Sequence, residues 1–396
     1  MRTKISISRP LATTLVPLVL AVPALAACTE STETAGTSDG DARSVTVTST
    51  DDACDVSTLE APSGTLRFDV TNDGSQVTEF YLLAEDGLRI VAEIENIGPQ
   101  ATRQLVADVA PGSYRTACKP GMSGEGIRAD FTVTDSGEER EVSADEQQLV
   151  DRALAGYQAY VEDQSAQLLE KTEEFVALYE AGDDDEARAL YPVARTHWER
   201  IETVAESFGD LDPQMDLREA DLEPGQEWTG WHRIEKDLWP ARAEDYTALT
   251  PRQRSTYAQD LLANTRTLDD QIQGLDFTVD QIANGSRGLL EEVATGKVTG
   301  EEEYWSRTDL YDFQANVDGA RVGFEGVQPI VAEKDPELAE TLTDRFAELQ
   351  DLLDQHRDGD GFVSYDELDA DEVKALADAV NALSEPLSRL TATVLA

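Results

Sequence analysis

The apolar pattern of this chain changes period partway along, and that change bounds every fold it can adopt. From Ser44 to Asp135 the runs SVTVTST, LRFDVTNDG, TEFYLLAEDG, RIVAEIENIG, RQLVADVAPG and IRADFTVTD alternate β-branched or aromatic residues with polar ones. Gly, Pro, Asn and Asp separate them. Beyond Glu139 apolar residues recur three or four apart, as at Val150, Leu154, Tyr157 and Val161. A strand sends alternate side chains to opposite faces, whereas a helix gathers positions three and four apart on one face. No single segment satisfies both. The chain therefore reads as a multi-domain β + α protein. A small antiparallel β-sandwich of about six or seven strands occupies 45–136. An all-α bundle of about seven or eight helices follows at 140–396. After helices at either side of residue 182, further ones are expected near 227–239, 251–274, 279–296, 301–333, 336–356 and 370–395.

The N-terminus carries no fold of its own. Arg2, Lys4 and Arg9 precede an apolar run from Leu11 to Ala27, which has the layout of an export signal at 1–27. The run ends in Leu25-Ala26-Ala27-Cys28. Cleavage before Cys28 would leave a cysteine for lipidation and anchor the protein on the outer face of the cytoplasmic membrane. A plain secretory peptide cut after Ala-x-Ala is the alternative. Residues 28–44 hold no large apolar side chain and read as a flexible acidic tether reaching about 20–25 Å.

The helical part carries the chemistry. HWERIE offers Glu199 and Glu202 three apart, and WHRIEKDLW offers His232 and Glu235 at the same spacing, so each pair leaves one helical face. Asp216 lies in the connector. Docked antiparallel, the two helices would bring three or four carboxylates and an imidazole to one point. Burying such a set costs free energy through like-charge repulsion and desolvation, unless a cation joins it. Trp198, Trp228, Trp231 and Trp239 frame the set and imply burial; otherwise these acids are solvated surface pairs, Glu199 with Arg200 and Glu235 with Lys236. Oxygen-rich ligands with one imidazole suit iron, with manganese or calcium as lesser candidates.

The segments HWERIETVAESFGDLDPQMD, GWHRIEKDLW (a His-x-x-Glu motif) and DLYDFQANVDGARVGFEG closely resemble imelysin-like proteins. With an exported β-rich segment ahead of them, the chain resembles the EfeO type of that family, a cupredoxin-like domain followed by an imelysin-like domain. The resemblance covers nearly everything after residue 45. It implies that Glu199, Glu202, Asp216, His232 and Glu235 bind iron as cargo, ferric or ferrous, in an extracytoplasmic uptake system without catalytic turnover. It also implies an iron permease in the membrane as recipient and a haem peroxidase as third component.

Several motifs compete with this reading. In the sandwich, Cys118-Lys119-Pro120-Gly121-Met122 is similar to a cupredoxin ligand loop, but a blue-copper site needs two His plus Cys. All three histidines (His197, His232, His356) lie elsewhere. Cys54 and Cys118, two thiols in one exported domain, are expected to pair as a disulfide. The alternative is a second metal site of Cys54, Glu79, Cys118 and Met122, holding copper or iron. Residues 356–367 mimic an EF-hand loop, with His356 where the first Asp belongs; Asp-Gly-Asp-Gly is also ordinary turn chemistry. A metallopeptidase is the main functional alternative. Lys236 stands where an inverted zincin motif needs His, and His197 is the only other imidazole nearby. A scaffold lipoprotein is a third reading. Asp and Glu outnumber Lys and Arg by 80 to 32, a formal charge of -48, which excludes a nucleic-acid partner.

Overall fold

The computed structural model describes residues 42–122, 124–138, 142–209 and 211–396. The export signal, Cys28 and the tether up to Asp41 lie outside the described residues.

The period-two region forms nine strands: β1 Ser44–Ser49, β2 Cys54–Val56, β3 Glu60–Pro62, β4 Gly64–Asn72, β5 Thr78–Ala84, β6 Ile90–Ile97, β7 Thr102–Val109, β8 Gly112–Cys118 and β9 Ile127–Thr134. They make two sheets, in the orders β2-β1-β4-β7 and β3-β9-β8-β5-β6. Alternation sets the core: Val45, Val47, Leu66, Phe68 and Val70 of one sheet belong to the same cluster as Phe80, Leu82, Ile94, Phe131 and Val133 of the other. The expectation of a purely antiparallel sandwich is corrected, because β1 pairs with β4, and β3 with β9, in parallel. The physical reason is the pair of three-residue strands, which carry the chain from one sheet to the other. β4 therefore returns beside β1 in the same direction. Cys54 and Cys118 are joined by a disulfide that ties the two sheets across 64 residues of chain. Closing a loop of that length removes about 4 kcal/mol of unfolded-state entropy in the chain-entropy picture.

The helical part comprises α1 Ala144–Ala181, α2 Asp184–Glu199, α3 Glu202–Glu206, α4 Asp212–Met215, α5 Gly230–Leu238, α6 Pro251–Ile272, α7 Val279–Thr295, α8 Asp309–Lys334, α9 Pro336–Leu353, α10 Ala370–Leu387 and α11 Leu390–Leu395. α1 begins at Ser143, whose side chain accepts from the Glu146 amide, and stops at Gly182 in the left-handed region. α8 is the central element. It packs on α1, α2, α7 and α9 and buries Phe313, Val317, Ala320 and Phe324.

Two helix expectations are corrected. Residues 301–308 are a loop, and the helix expected at 301–333 starts only at Asp309. Acidic side chains satisfy the loop's amides in place of helical carbonyls: Glu235 Oε1 accepts from Trp305 N at 2.8 Å and Ser306 N at 2.6 Å, and Asp309 Oδ1 accepts from Glu303 N at 3.1 Å. HWERIE is likewise interrupted at Arg200–Ile201, between α2 and α3.

The EF-hand-like stretch is a hairpin, with Arg357 opposite Phe362 and Asp358 opposite Gly361. Its Asp366 is engaged by Arg307 at 2.9 Å and Arg242 at 3.2 Å. Among the described residues its acids do not gather into a cation-sized set.

The sandwich packs directly on the helices, and the described residues from 42 to 396 fall in one compact unit. Asp280 Oδ2 accepts from Asp108 N at 2.9 Å, Asn284 Nδ2 donates to Val106 O at 3.0 Å, and Arg287 Nη2 donates to Glu93 O at 3.1 Å. Arg103 also pairs with Glu291. Among the described residues no helix is long and apolar enough to cross a membrane.

Candidate metal centre

The five residues singled out in the helical part do come together, although not by the route that spacing alone predicts. Glu199 closes α2 and Glu202 opens α3. The break between them is stabilised by α8: Asn316 Nδ2 donates to Glu199 O at 2.7 Å, and Gly319 lies so close that a Cβ there would meet Arg200 O at 2.4 Å. A second close approach brings α5 in. Gly230 has φ 82°, and a Cβ there would stand 2.1 Å from Met215 O. Only glycine lets α5 begin against the end of α4, which sets His232 beside Asp216.

The resulting cage is built on His232. Its Nε2 lies 3.4 Å from both Asp216 Oδ1 and Glu302 Oε1, and its Nδ1 lies 3.4 Å from Glu235 Oε2. Nε2 is buried and has no hydrogen-bond partner. Three overlapping groups each offer ligand atoms within 4.8 Å of one another: Asp216, His232 and Glu302; His232, Glu235 and Glu303; and Glu199, Glu202 and Asp216. Glu199 and Glu235 have 0% exposure, so the reading of solvated surface pairs fails for both. Arg200 instead pairs with Asp318, and Lys236 with Glu219.

The cage also contains residues that sequence reasoning missed. Glu302 and Glu303 arrive on the 301–308 loop, where they had been read as part of a helix. Arg195 lies inside the carboxylate set, against Glu199 and Asp216, with its Nε 2.6 Å from Glu303 Oε1. Lys297 Nζ lies 2.7 Å from Glu202 Oε2 and 2.9 Å from Glu199 Oε2. Asp312 and Asn316 of α8 complete the wall. A signal for these two existed: DLYDFQANVDG spaces Asp309, Asp312 and Asn316 three and four apart.

Charge does not balance. Seven buried or nearly buried carboxyls (Glu199, Glu202, Asp216, Glu235, Glu302, Glu303, Asp312) face three buried cationic side chains, Arg195, Lys297 and His232. Burial, reinforced by neighbouring acids, pushes Glu202, Glu303 and Asp312 well above the usual carboxylate range. Burial opposes Glu302 ionising too, but Lys297 and His232 outweigh it and hold that carboxyl low. For His232, burial and Arg195 disfavour the imidazolium; the neighbouring carboxylates of Glu235, Glu302 and Asp216 prevail and raise it. Both oxygens of Asp312 lack a hydrogen bond. A surplus of buried acids, some protonated, around an unpartnered imidazole nitrogen is what an entering multivalent cation would discharge.

The remaining candidates lie apart. His197 Nδ1 is 2.9 Å from Gln164 Oε1, and burial, then Arg200, depresses its pKa to about 4. The cage therefore has one imidazole. In the sandwich, Cys54 and Cys118 spend their sulfurs in the disulfide, so neither offers a thiolate to copper. Met122 is 46% exposed, and Glu79 is buried accepting from Tyr81 OH at 2.6 Å. The structure does not bring Cys54, Glu79, Cys118 and Met122 into one ligand set.

Comparison with known proteins follows the same division. The family model described as Imelysin matches residues 153–390, and that described as a cupredoxin-like domain matches residues 18–133. An "Efem/EfeO family lipoprotein" of Staphylococcus haemolyticus is 43% identical over 242 residues, covering 60% of this chain and 82% of its own length. The "Iron uptake system component EfeO" of Yersinia pestis is 35% identical over 353 residues, covering 88% and 91%. That of Escherichia coli strain K12 is 34% identical over 356 residues, with the same coverage.

Proposed function

We propose, from the premise that this chain belongs to the EfeO family of imelysin-domain proteins, that it captures iron outside the cytoplasm and passes it to a membrane permease. The carrying observation is the uncompensated carboxylate cage around His232, whose Nε2 faces Asp216 and Glu302 with no hydrogen-bond partner. Asp216, His232 and Glu302 are the readiest ligands. Glu199, Glu202, Glu235 and Glu303 stand within one further ligand distance. Hard oxygens with a single imidazole favour ferric or ferrous iron over copper(I) or structural zinc. The ion is cargo, and the relatives' name as uptake components supports a role without turnover. A two-histidine zinc peptidase fits this donor set poorly, since His197 faces Gln164 instead. The family resemblance extends the proposal to a haem peroxidase as a third component.

The test is titration of the full chain with ferric iron supplied as its citrate complex. Glu202→Ala combined with His232→Ala should abolish saturable binding. Glu340→Ala with Asp344→Ala, on an exposed face, should leave it unchanged. Equal binding by the first double variant and the parent would rule the cage out.

A further inference from the structure

Lys297 occupies a position that the proposed ligand set does not explain. It opens a short turn, Lys297–Thr299, set between Gly296 and Gly300, and it is 1% exposed. Its ammonium lies 2.9 and 2.7 Å from the two oxygens of Glu202 and 2.9 Å from Glu199 Oε2. Asn316 Nδ2 reaches the same two carboxylates at 2.9 and 3.2 Å. Glu199 and Glu202 are thus fully engaged by Lys297 and Asn316, with Arg195 on Glu199 Oε1. On the far side of Asp216 the contacts differ: His232 Nε2 reaches Asp216 Oδ1 and Glu302 Oε1 only at 3.4 Å, and the cation there is Arg195, which pairs with Asp216 and stands 3.5 Å from Glu302 Oε1. The acids thus fall into a Glu199/Glu202 side closed by the Lys297 ammonium and a His232 side where Nε2 has no hydrogen-bond partner.

Resting on the cage reading above, we infer that Lys297 is a built-in competitor of the cargo ion, which must withdraw before Glu199 and Glu202 can coordinate. An ion bound by Glu202 and Glu199 Oε2 would need the oxygens that the ammonium now holds, and the two charges repel strongly at that distance in a buried, water-poor site. Capture is therefore stepwise: Asp216, His232 and Glu302 receive the ion, its charge expels the ammonium, and Glu199 and Glu202 close on the metal. Lysine suits this exchange because it is a compact charge on a flexible four-carbon stem. Glu292, half-buried, is another carboxylate in its field. Release reverses the order, with Lys297 reclaiming the two carboxylates and lowering the ion's affinity for hand-over. If the withdrawn state is populated at about 10% or less, apparent affinity is weakened about tenfold or more.

The experiment measures ferric iron binding to the full chain against citrate, and the rate of iron loss to excess chelator. Lys297→Met keeps the stem and removes the charge; it should bind iron about tenfold tighter or more and release it correspondingly slower. Lys297→Arg keeps a charge that docks on both carboxylates as a fixed fork; it should bind iron more weakly than the parent, and Glu199→Gln added to it should change little further. Tighter binding is not a result that structural damage produces. A folded Lys297→Met variant that binds iron no tighter than the parent would overturn the inference. If Lys297→Met does not fold, parental affinity in Lys297→Arg does so instead. Should the parent fail to bind iron, or His232→Ala bind it normally, the cage reading itself falls and takes this one with it.

Discussion

Arg195 is wholly buried and touches Glu199, Asp216 and Glu303, with Glu302 at 3.5 Å and Asp312 at 3.6 Å. Its planar guanidinium spreads five donors in a fixed fork over several carboxylates, where a lysine offers one compact charge. Trp198 Nε1 adds a bond to Asp216 Oδ2 at 2.7 Å, fixing the carboxylate that both halves of the cage share. Replacing Arg195 by Met leaves buried acids uncompensated, so the iron-free protein should lose about 3–5 kcal/mol of stability. Urea unfolding in the presence of chelator reads this directly. Arg195→Lys should recover only part of the loss, whereas ferric iron should recover part of it in Arg195→Met by supplying the missing charge. A loss below about 1 kcal/mol would mean the carboxyls are already neutral without Arg195.

Among the elements, α8 does most to place the site, through Asn316, Gly319 and Asp312. The junction of β6 with α7 carries a separate electrostatic liability. Burial raises Glu93 to about 8; Glu79 and Glu292 add to the shift, and Lys119 and Arg287 oppose it. Burial also raises Glu95, Glu206 and Glu292. The folded state therefore holds protons that the unfolded chain releases above its ordinary carboxylate pKa. Between about pH 4.5 and 8 stability should fall as pH rises, the reverse of a salt-bridged acid. In chelator, thermal unfolding at pH 5 should occur at a higher temperature than at pH 8. Glu93→Gln should raise Tm at pH 8 by about 2–4 °C for each ~1 kcal/mol gained, with little effect at pH 5. A Tm that climbs from pH 5 to 8, or a Glu93→Gln variant less stable at pH 8, would refute the sign.

At the scale of the whole molecule, the formal charge of -48 surrounds the site with a field that concentrates cations near the surface. In the proposed function, selectivity comes from the cage, because exposed acids offer no fixed geometry. The proposed location rests on Cys28, and Cys28→Ala should move the protein from the membrane fraction to the soluble one. Unchanged partition would remove the lipid anchor from the proposal. The disulfide ties the sandwich together, and the junction contacts hold it against the helices that carry the cage.

Local sequence determined the division into a β part and an α part, the expectation that Cys54 and Cys118 pair, and the residue types of the proposed ligand set. Each depends on short-range facts: a period of two or 3.6, a count of thiols, a spacing of three. What only the tertiary structure decided is how the charges of that set are met. Lys297 and Glu202 are 95 residues apart in the chain, and Arg195 and Glu302 are 107 apart. Their meeting depends on α8 packing against α2 and α7, with Asn316 and Gly319 holding open a helix that spacing alone would have run straight through Arg200. Spacing within a segment reports which side chains share a face. It carries no information about which distant side chain that face will meet, and in a buried site of surplus acids that partner decides whether a carboxylate is free to bind an ion.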